Sequence, residues 1–415
     1  TTGTRNIAIG ASAGDAITEG GDNTAVGRTA LSADTLGKKS TAIGGGVLRS
    51  QNFTTATNAY NTAVGFNSGA AVTTGTENTF MGGNTADSLT VGGENTAIGY
   101  NALSVDTKGS KSTAIGRGTL DAQNFTTATD TYNVAVGYNA GTQVTTGIYN
   151  TLVGGLAGDA ITDADYNVAI GGNALGQNTV GSRLVAVGYG ALASHNPATA
   201  TDTYNTAVGM LAGENVTTGI RNTLIGGLSG DAITEGNYNV GVGYQTLTSD
   251  VKGTGNTAVG YSALRDQSFS TATSSYNTGL GYQAGTAIST GTLNTLVGGL
   301  AGDALTTGFN NVAVGTSALG SEDTGRYNVA IGKGALAVQN SDADNYNTAV
   351  GAEAGNSVAT ATANTLIGGV AGDALTTGGS NVAIGYTALG ADTKGFNSVA
   401  IGQNALATQN FTTNT

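Results

Sequence analysis

The sequence has no cysteine and no tryptophan, and only one proline and one histidine in 415 residues. Without cysteine there are no disulfides, no thiolate chemistry and none of the usual thiolate zinc sites, although an extracellular location remains compatible where repeated packing supplies stability. A lone proline among 69 glycines rules out a collagen triple helix, which needs glycine at every third position and abundant proline. Charge is also scarce, at 10% of residues against the roughly 25% of an ordinary soluble domain, so this is not an ordinary enzyme composition. Basic residues are the scarcer sign: 15 Lys and Arg face 27 Asp and Glu, for a net charge of −12. That balance lacks the basic footprint of a nucleic-acid partner. No apolar run reaches the length of about 18 residues that would span a bilayer, and residues 1–30 lack a basic region followed by an apolar stretch and cleavage site.

Disorder does not fit either, because 39% of residues are hydrophobic and Val, Ile, Thr and Ala dominate. Length alone suggests about three domains, but repeats change that reading. The pentapeptide Asn-Thr-Ala-Val-Gly, or a close variant, ends at Gly10, Gly27, Gly44, Gly65, Gly82, Gly99, Gly116, Gly137, Gly154, Gly171, Gly188 and Gly209. It continues at Gly226, Gly243, Gly260, Gly281, Gly298, Gly315, Gly332, Gly351, Gly368, Gly385 and Gly402, giving 23 copies. Most copies are 17 residues apart and every fourth spacing is 21, so four units form a 72-residue super-repeat. Tyr60, Tyr132, Tyr204 and Tyr276 keep that period, as do Asp15, Asp87, Asp159, Asp231 and Asp303. A 19-residue unit near the C-terminal end shifts the next members to Tyr346 and Asp373.

Each unit reads as a short strand, a glycine turn, an Ala-Leu or Ala-Gly step and a Thr/Gly-rich return, too short for a helical pair. The expected fold is therefore all-β: one parallel β-solenoid over residues 1–415, with one coil per unit. Turn glycines include Gly65, Gly99, Gly137, Gly171, Gly209, Gly243, Gly281 and Gly315. Four residues before the turn stands Asn in 19 of 23 coils, as at Asn61, Asn95, Asn133, Asn167, Asn205, Asn239, Asn277 and Asn311. The exceptions are Ser40, Ser112, Leu184 and Ser398. Stacked about 4.8 Å apart, these amides form a ladder that satisfies backbone groups at the corner, a structural role. At that spacing 23 coils predict a rod of roughly 110 Å.

Apolar residues at adjacent strand positions imply burial on both faces and hence a second layer of protein. The expectation is that the Val/Ile column fills the coil, while the alanine column, Ala169 among it, faces a neighbouring chain. The 21-residue coils carry an insert, Gln51 to Thr55, recurring at Gln123 to Thr127 and Gln267 to Thr271. It is expected to bulge outward, with Phe53, Phe125, Phe269 and Phe411 either packing over the extra turn, the favoured reading, or standing as exposed knobs. Thr1 to Arg5 matches Thr73 to Glu77 and the final residues match the Gln123 insert, so the chain reads as a window of a longer fibre.

The strings Asn-Thr-Ala-Ile-Gly-Tyr-Asn-Ala-Leu at Asn95 to Leu103 and Asn-Val-Ala-Ile-Gly-Tyr-Thr-Ala-Leu at Asn381 to Leu389 resemble YadA-type head repeats. That family occurs in trimeric autotransporter adhesins and, in related form, in phage tail fibres. The resemblance covers the whole chain and implies a left-handed parallel β-roll in which three identical chains share one axis. The present coils are longer than typical head repeats and add the periodic 21-residue variant.

No residue pattern here calls for catalysis, a cofactor or a resident metal. His195 occupies the position held elsewhere by Gln51, Gln123, Gln267, Gln339 and Gln409, so it reads as a drifted surface residue. No nucleophile elbow or P-loop lysine stands out. Asp159 and its equivalents sit four coils apart, roughly 19 Å, too far to share an ion within one chain; only a trimer axis gathers three for calcium. Thr24, Thr41, Thr62, Thr79, Thr96 and Thr113 form a column of the kind that orders water, but Val134, Val168 and Val240 replace it later, which favours packing over ice binding. The function expected is a non-enzymatic extracellular fibre shaft on a cell or virion surface, homotrimeric or assembled into longer filaments. The alternative is a multivalent module whose inserts bind glycans or a surface receptor.

Overall fold

The computed structural model describes residues 3–413. Two compact units are present, one ending at Tyr204 and the other beginning at Asn205. Both are parallel β-solenoids, and no helix occurs among the described residues. The first stacks three-residue strands from Ile7–Ile9 to Val185–Val187; the second does so from Thr206–Val208 to Val399–Ile401. Pairing is parallel and in strict register, so that Thr96, Ala97 and Ile98 oppose Thr113, Ala114 and Ile115.

One coil shows how the sequence closes on itself. The strand Thr96–Ile98 ends at Gly99, whose φ of 135° is open only to glycine. Its neighbour leaves no room either, because a Cβ on Gly99 would lie 2.4 Å from the carbonyl oxygen of Gly116. Asn101, Leu103 and Lys111 then take left-handed φ values of 55°, 56° and 63°, bending the chain at the remaining corners. Single left-handed L-residues cost on the order of 1–2 kcal/mol each, so the corners are held by stacking against the next coil. The backbone N–H of Leu103 donates to Thr119 O at 3.0 Å, and that of Lys111 donates to Gly93 O at 3.0 Å.

The strand faces are the reverse of the expectation. Ala169 is fully buried, whereas Ile170 is 40% exposed. The central strand residue points inward in every coil from Thr24–Val26 onward, and the Val/Ile column lies outside. Size decides this: the coil interior is narrow and the Ala-Leu step already sends in Leu103, Leu120, Leu175 and Leu192. Only a small strand residue fits beside them. Where the centre is large, as at Leu152, a step residue turns to glycine. A Cβ on Gly141 would meet Leu152 Cδ1 at 2.6 Å and Leu120 Cδ2 at 3.0 Å.

The 21-residue coils use their extra length for a short second strand pair, Gly109–Ser110 with Thr129–Asp130. The same pairing joins Gly37–Lys38 to Thr57–Asn58, Gly181–Ser182 to Thr201–Asp202 and Gly253–Thr254 to Thr273–Ser274. Only the tip between is exposed, at Thr126, Thr127 and Ala128.

Two glycines test the steric argument. Gly99→Ala combines a forbidden φ with a backbone clash and is expected to destabilise the first unit by about 3 kcal/mol or more. Gly155 has open space around its position, so Gly155→Ala should stay within about 0.5 kcal/mol of the parent. Thermal denaturation followed by circular dichroism separates the two; equal melting curves would refute the glycine constraint.

Candidate functional site

The predicted asparagine ladder forms, and its hydrogen bonds run mainly to backbone. Asn95 Nδ2 donates to Gly109 O at 3.0 Å within its own coil, while Asn95 Oδ1 accepts the N–H of Ser112 at 2.8 Å from the next. Asn61, Asn133 and Asn167 do the same in the first unit, donating to Gly75, Gly147 and Gly181. In the second, Asn205, Asn239, Asn277 and Asn311 donate to Gly219, Gly253, Gly291 and Gly325. Direct amide–amide contacts are secondary, as from Asn78 Nδ2 to Asn61 Oδ1 at 3.2 Å. The turn glycines Gly65, Gly137, Gly171, Gly209, Gly243, Gly281 and Gly315 repeat the geometry of Gly99, with φ between 132° and 141°.

Beside this ladder lies a buried polar network that the sequence reading missed. Gln123 Nε2 donates to Asp106 Oδ2 at 2.6 Å and to Ser112 Oγ at 2.9 Å, and Gln123 Oε1 accepts from Asn133 at 3.0 Å. Asp106 also accepts the backbone N–H of Gly109 at 3.0 Å. The arrangement recurs at Asp34–Gln51–Asn61 and Asp250–Gln267–Asn277, and with a longer acid at Glu322–Gln339–Asn347. Burial raises the carboxyls of Asp250 and Glu322 above their ordinary range, against the opposing effect of these hydrogen bonds. The available signal was covariation: coils with leucine at the step carry a polar residue three positions later, most often Asp or Gln, whereas Ala-Gly coils carry an apolar one such as Val144, Ile161 or Val216.

His195 belongs to this buried position and is not a surface residue. It is fully buried with neither ring nitrogen hydrogen-bonded. Its surroundings have changed with it: Asn178 stands where Asp106 does, and Leu184 where Ser112 does. Asn178 closes on Gly181 through two hydrogen bonds and offers no charge. Desolvation alone pushes the imidazole down to about 4. Buried and without a hydrogen-bond partner, this histidine fills space in the coil interior.

The insert phenylalanines divide by position. Phe53, Phe125 and Phe269 are 5–6% exposed and pack inward, which corrects the exposed-knob reading; Phe411 is 40% exposed. The residues that do protrude include a column immediately preceding the asparagines. Lys111, Tyr132, Tyr149, Tyr166, Arg183 and Tyr204 form a continuous ladder, with Tyr132–Tyr149 and Tyr149–Tyr166 ring centres 5.1 and 5.0 Å apart. Lys111 and Arg183 cap the stack by cation–π contacts at 5.2 and 5.0 Å.

Asp159 is half-buried with Oδ1 unpaired, and burial raises its carboxyl, as it does for Asp87, Asp303 and Asp373 and, to about 6, for Asp231. No group of three or more His, Cys, Asp or Glu side chains is placed to share a metal ion among the described residues. No protein-family model matches the chain, and no curated protein matches it.

His195 supplies a pH test with a definite sign. Its folded pKa lies below the unfolded value of about 6.5, so its full contribution to stability is present above that value and is lost as pH falls toward about 4. The paired change His195→Gln with Asn178→Asp rebuilds the contacts seen at Gln123 and Asp106. Between pH 6.5 and 4 the parent should lose about 3 kcal/mol more than this variant, read from melting temperatures across the series. Parallel pH profiles would overturn the assignment.

Proposed function

We propose that the chain is the shaft of a non-enzymatic extracellular fibre in which three copies associate through the outer strand face. The observation that carries this reading is an unbroken apolar column there. In the first unit it runs Ile9, Val26, Ile43, Val64, Met81, Ile98, Ile115, Val136, Val153, Ile170 and Val187, and none of these is buried. The second unit repeats it from Val208 to Ile401. The half-exposed Thr column containing Thr24, Thr41 and Thr96 borders it. Together these columns run the length of each unit, the kind of extended surface that a stable interface of roughly 800 Å² per partner needs.

The occupant best matched to that face is another copy of the chain. Only a partner with the same coil spacing can place an apolar group opposite each Val or Ile along its whole length. The resemblance to YadA-type head repeats implies three such copies around one axis. Stiffness then follows from the asparagine ladder and the buried networks, and stability from nearest-neighbour coil packing. Surface attachment, where it occurs, is multivalent along the shaft. The glycan-binding alternative through the inserts draws less support, because Phe53, Phe125 and Phe269 are withdrawn from the surface.

Light scattering on the intact chain should give three times 40.6 kDa. Ile170→Glu puts charge on the proposed contact face and should yield folded monomers. Ala169→Glu puts charge inside the coil and should unfold that unit, at a cost of several kcal/mol. A monomeric parent, or an Ile170→Glu variant that keeps the parent mass, would overturn the association.

A further inference from the structure

The repeat makes each position comparable with its counterparts, so a local departure is visible against an internal reference. One such departure is a cleft of about 770 Å³ in the first unit. That is within the 300–1,000 Å³ range typical of small-molecule sites. Arg28 and Arg49 flank it, and Ser32, Asn52, Asn67 and Thr73 complete its polar wall. No carboxylate lines it and neither arginine makes an ion pair at contact distance, while Arg49 is near enough to Asp87 to act on its carboxyl. Arg49 is oriented by Asn67, whose Oδ1 accepts from Nη1 at 2.9 Å. In a chain of net charge −12, two arginines in the wall of one cleft with no carboxylate in that wall run against the overall composition.

Glycine at 46 keeps one wall of the cleft clear. A Cβ on Gly46 would lie 2.6 Å from Asn67 Oδ1 and 3.3 Å from Arg49 Nη1, so a side chain there would break the arginine's orientation. Gly45 stands where a longer residue is found 72 positions later, Arg117. At that second location the corresponding cleft shrinks to about 220 Å³. Arg117 is part of its wall, with its guanidinium 5.5 Å over the Tyr138 ring, and Tyr100 and Asp121 stand where Arg28 and Arg49 do. The same fold therefore builds a larger cleft with two arginines here and a smaller one holding both Arg117 and Asp121 72 residues later.

We infer that the Arg28–Arg49 cleft binds a carboxylate- or sulfate-bearing saccharide. Guanidinium forks recognise such oxyanions bidentately, and the hydroxyl and amide groups of Ser32, Asn52, Asn67 and Thr73 suit the hydroxyls of the attached sugar ring. This goes beyond the shaft role and does not depend on it, since the cleft is formed within one chain.

Isothermal titration of the full chain with tetragalacturonate, glucose 6-sulfate, cellotetraose and inorganic sulfate tests the site. The two acidic sugars are expected to bind at least tenfold more tightly than cellotetraose, and glucose 6-sulfate more tightly than inorganic sulfate. Arg28→Ala with Arg49→Ala should lower acidic-sugar affinity at least tenfold. Gly45→Arg should do the same by filling the cleft. A Cβ at Gly45 makes only ordinary contact with Phe66, at 3.6 Å, so an unchanged melting temperature is expected for that variant. No binding by the parent, or undiminished binding in either variant, would overturn the site. Inorganic sulfate binding as tightly as glucose 6-sulfate would overturn its assignment to a saccharide.

Discussion

The close approach of successive turn glycines governs this structure. At Gly65, Gly99, Gly137 and Gly171 a Cβ would fall 2.1–2.5 Å from the carbonyl oxygen of the following turn glycine. No side chain can intervene, so adjacent coils come to backbone hydrogen-bonding distance at the corner, and the strands fall into register. Once the register is fixed, an asparagine amide reaches its own coil with the nitrogen and the next coil with the oxygen. The same stacking supports three left-handed residues per coil, which an isolated coil of this sequence could not hold.

A narrow coil also dictates how the interior is shared. Leucine from the Ala-Leu step, a polar residue three positions later and a strand alanine make one filling; glycine, Val or Ile, and in places a larger strand residue make another. These fillings explain why carboxylates such as Asp34 and Asp106 can be fully buried. Each accepts hydrogen bonds from a glutamine side chain and a glycine N–H, so burial does not leave it unpaired. Where Asn178, Leu184 and His195 occur together, the charged network has been replaced by a neutral and more apolar filling.

The repeat, the parallel coil, the turn glycines and the asparagine column were all legible in the sequence because each follows from spacing. The identity of the inner face was not. Alternation separates Ala169 from Ile170, but both are apolar, and hydrophobicity alone favours burying the larger one. The deciding fact is the volume already claimed by Leu175, which belongs to another side of the coil and enters only in three dimensions. His195 was misplaced for a related reason. Its counterparts are glutamines, which usually mark a surface, and only the hydrogen-bonded geometry shows that those glutamines lie inside. The inward packing of Phe53, by contrast, was among the readings open from sequence.

A repetitive fold separates what maintains the scaffold from what could distinguish one part of it from another. Positions that every coil shares are explained by stacking, and changing them damages the coil before it changes anything else. Positions that vary from one four-coil module to the next are free of that duty. By this reasoning the outer Val/Ile column, apolar in all coils, is the surface on which the proposed association rests. Gly45 and Arg49 are of the other kind. Their counterparts Arg117 and Asp121 differ in size and in charge sign, yet the surrounding strands pair in the same register. The scaffold is indifferent to that exchange, so the difference is available to recognition.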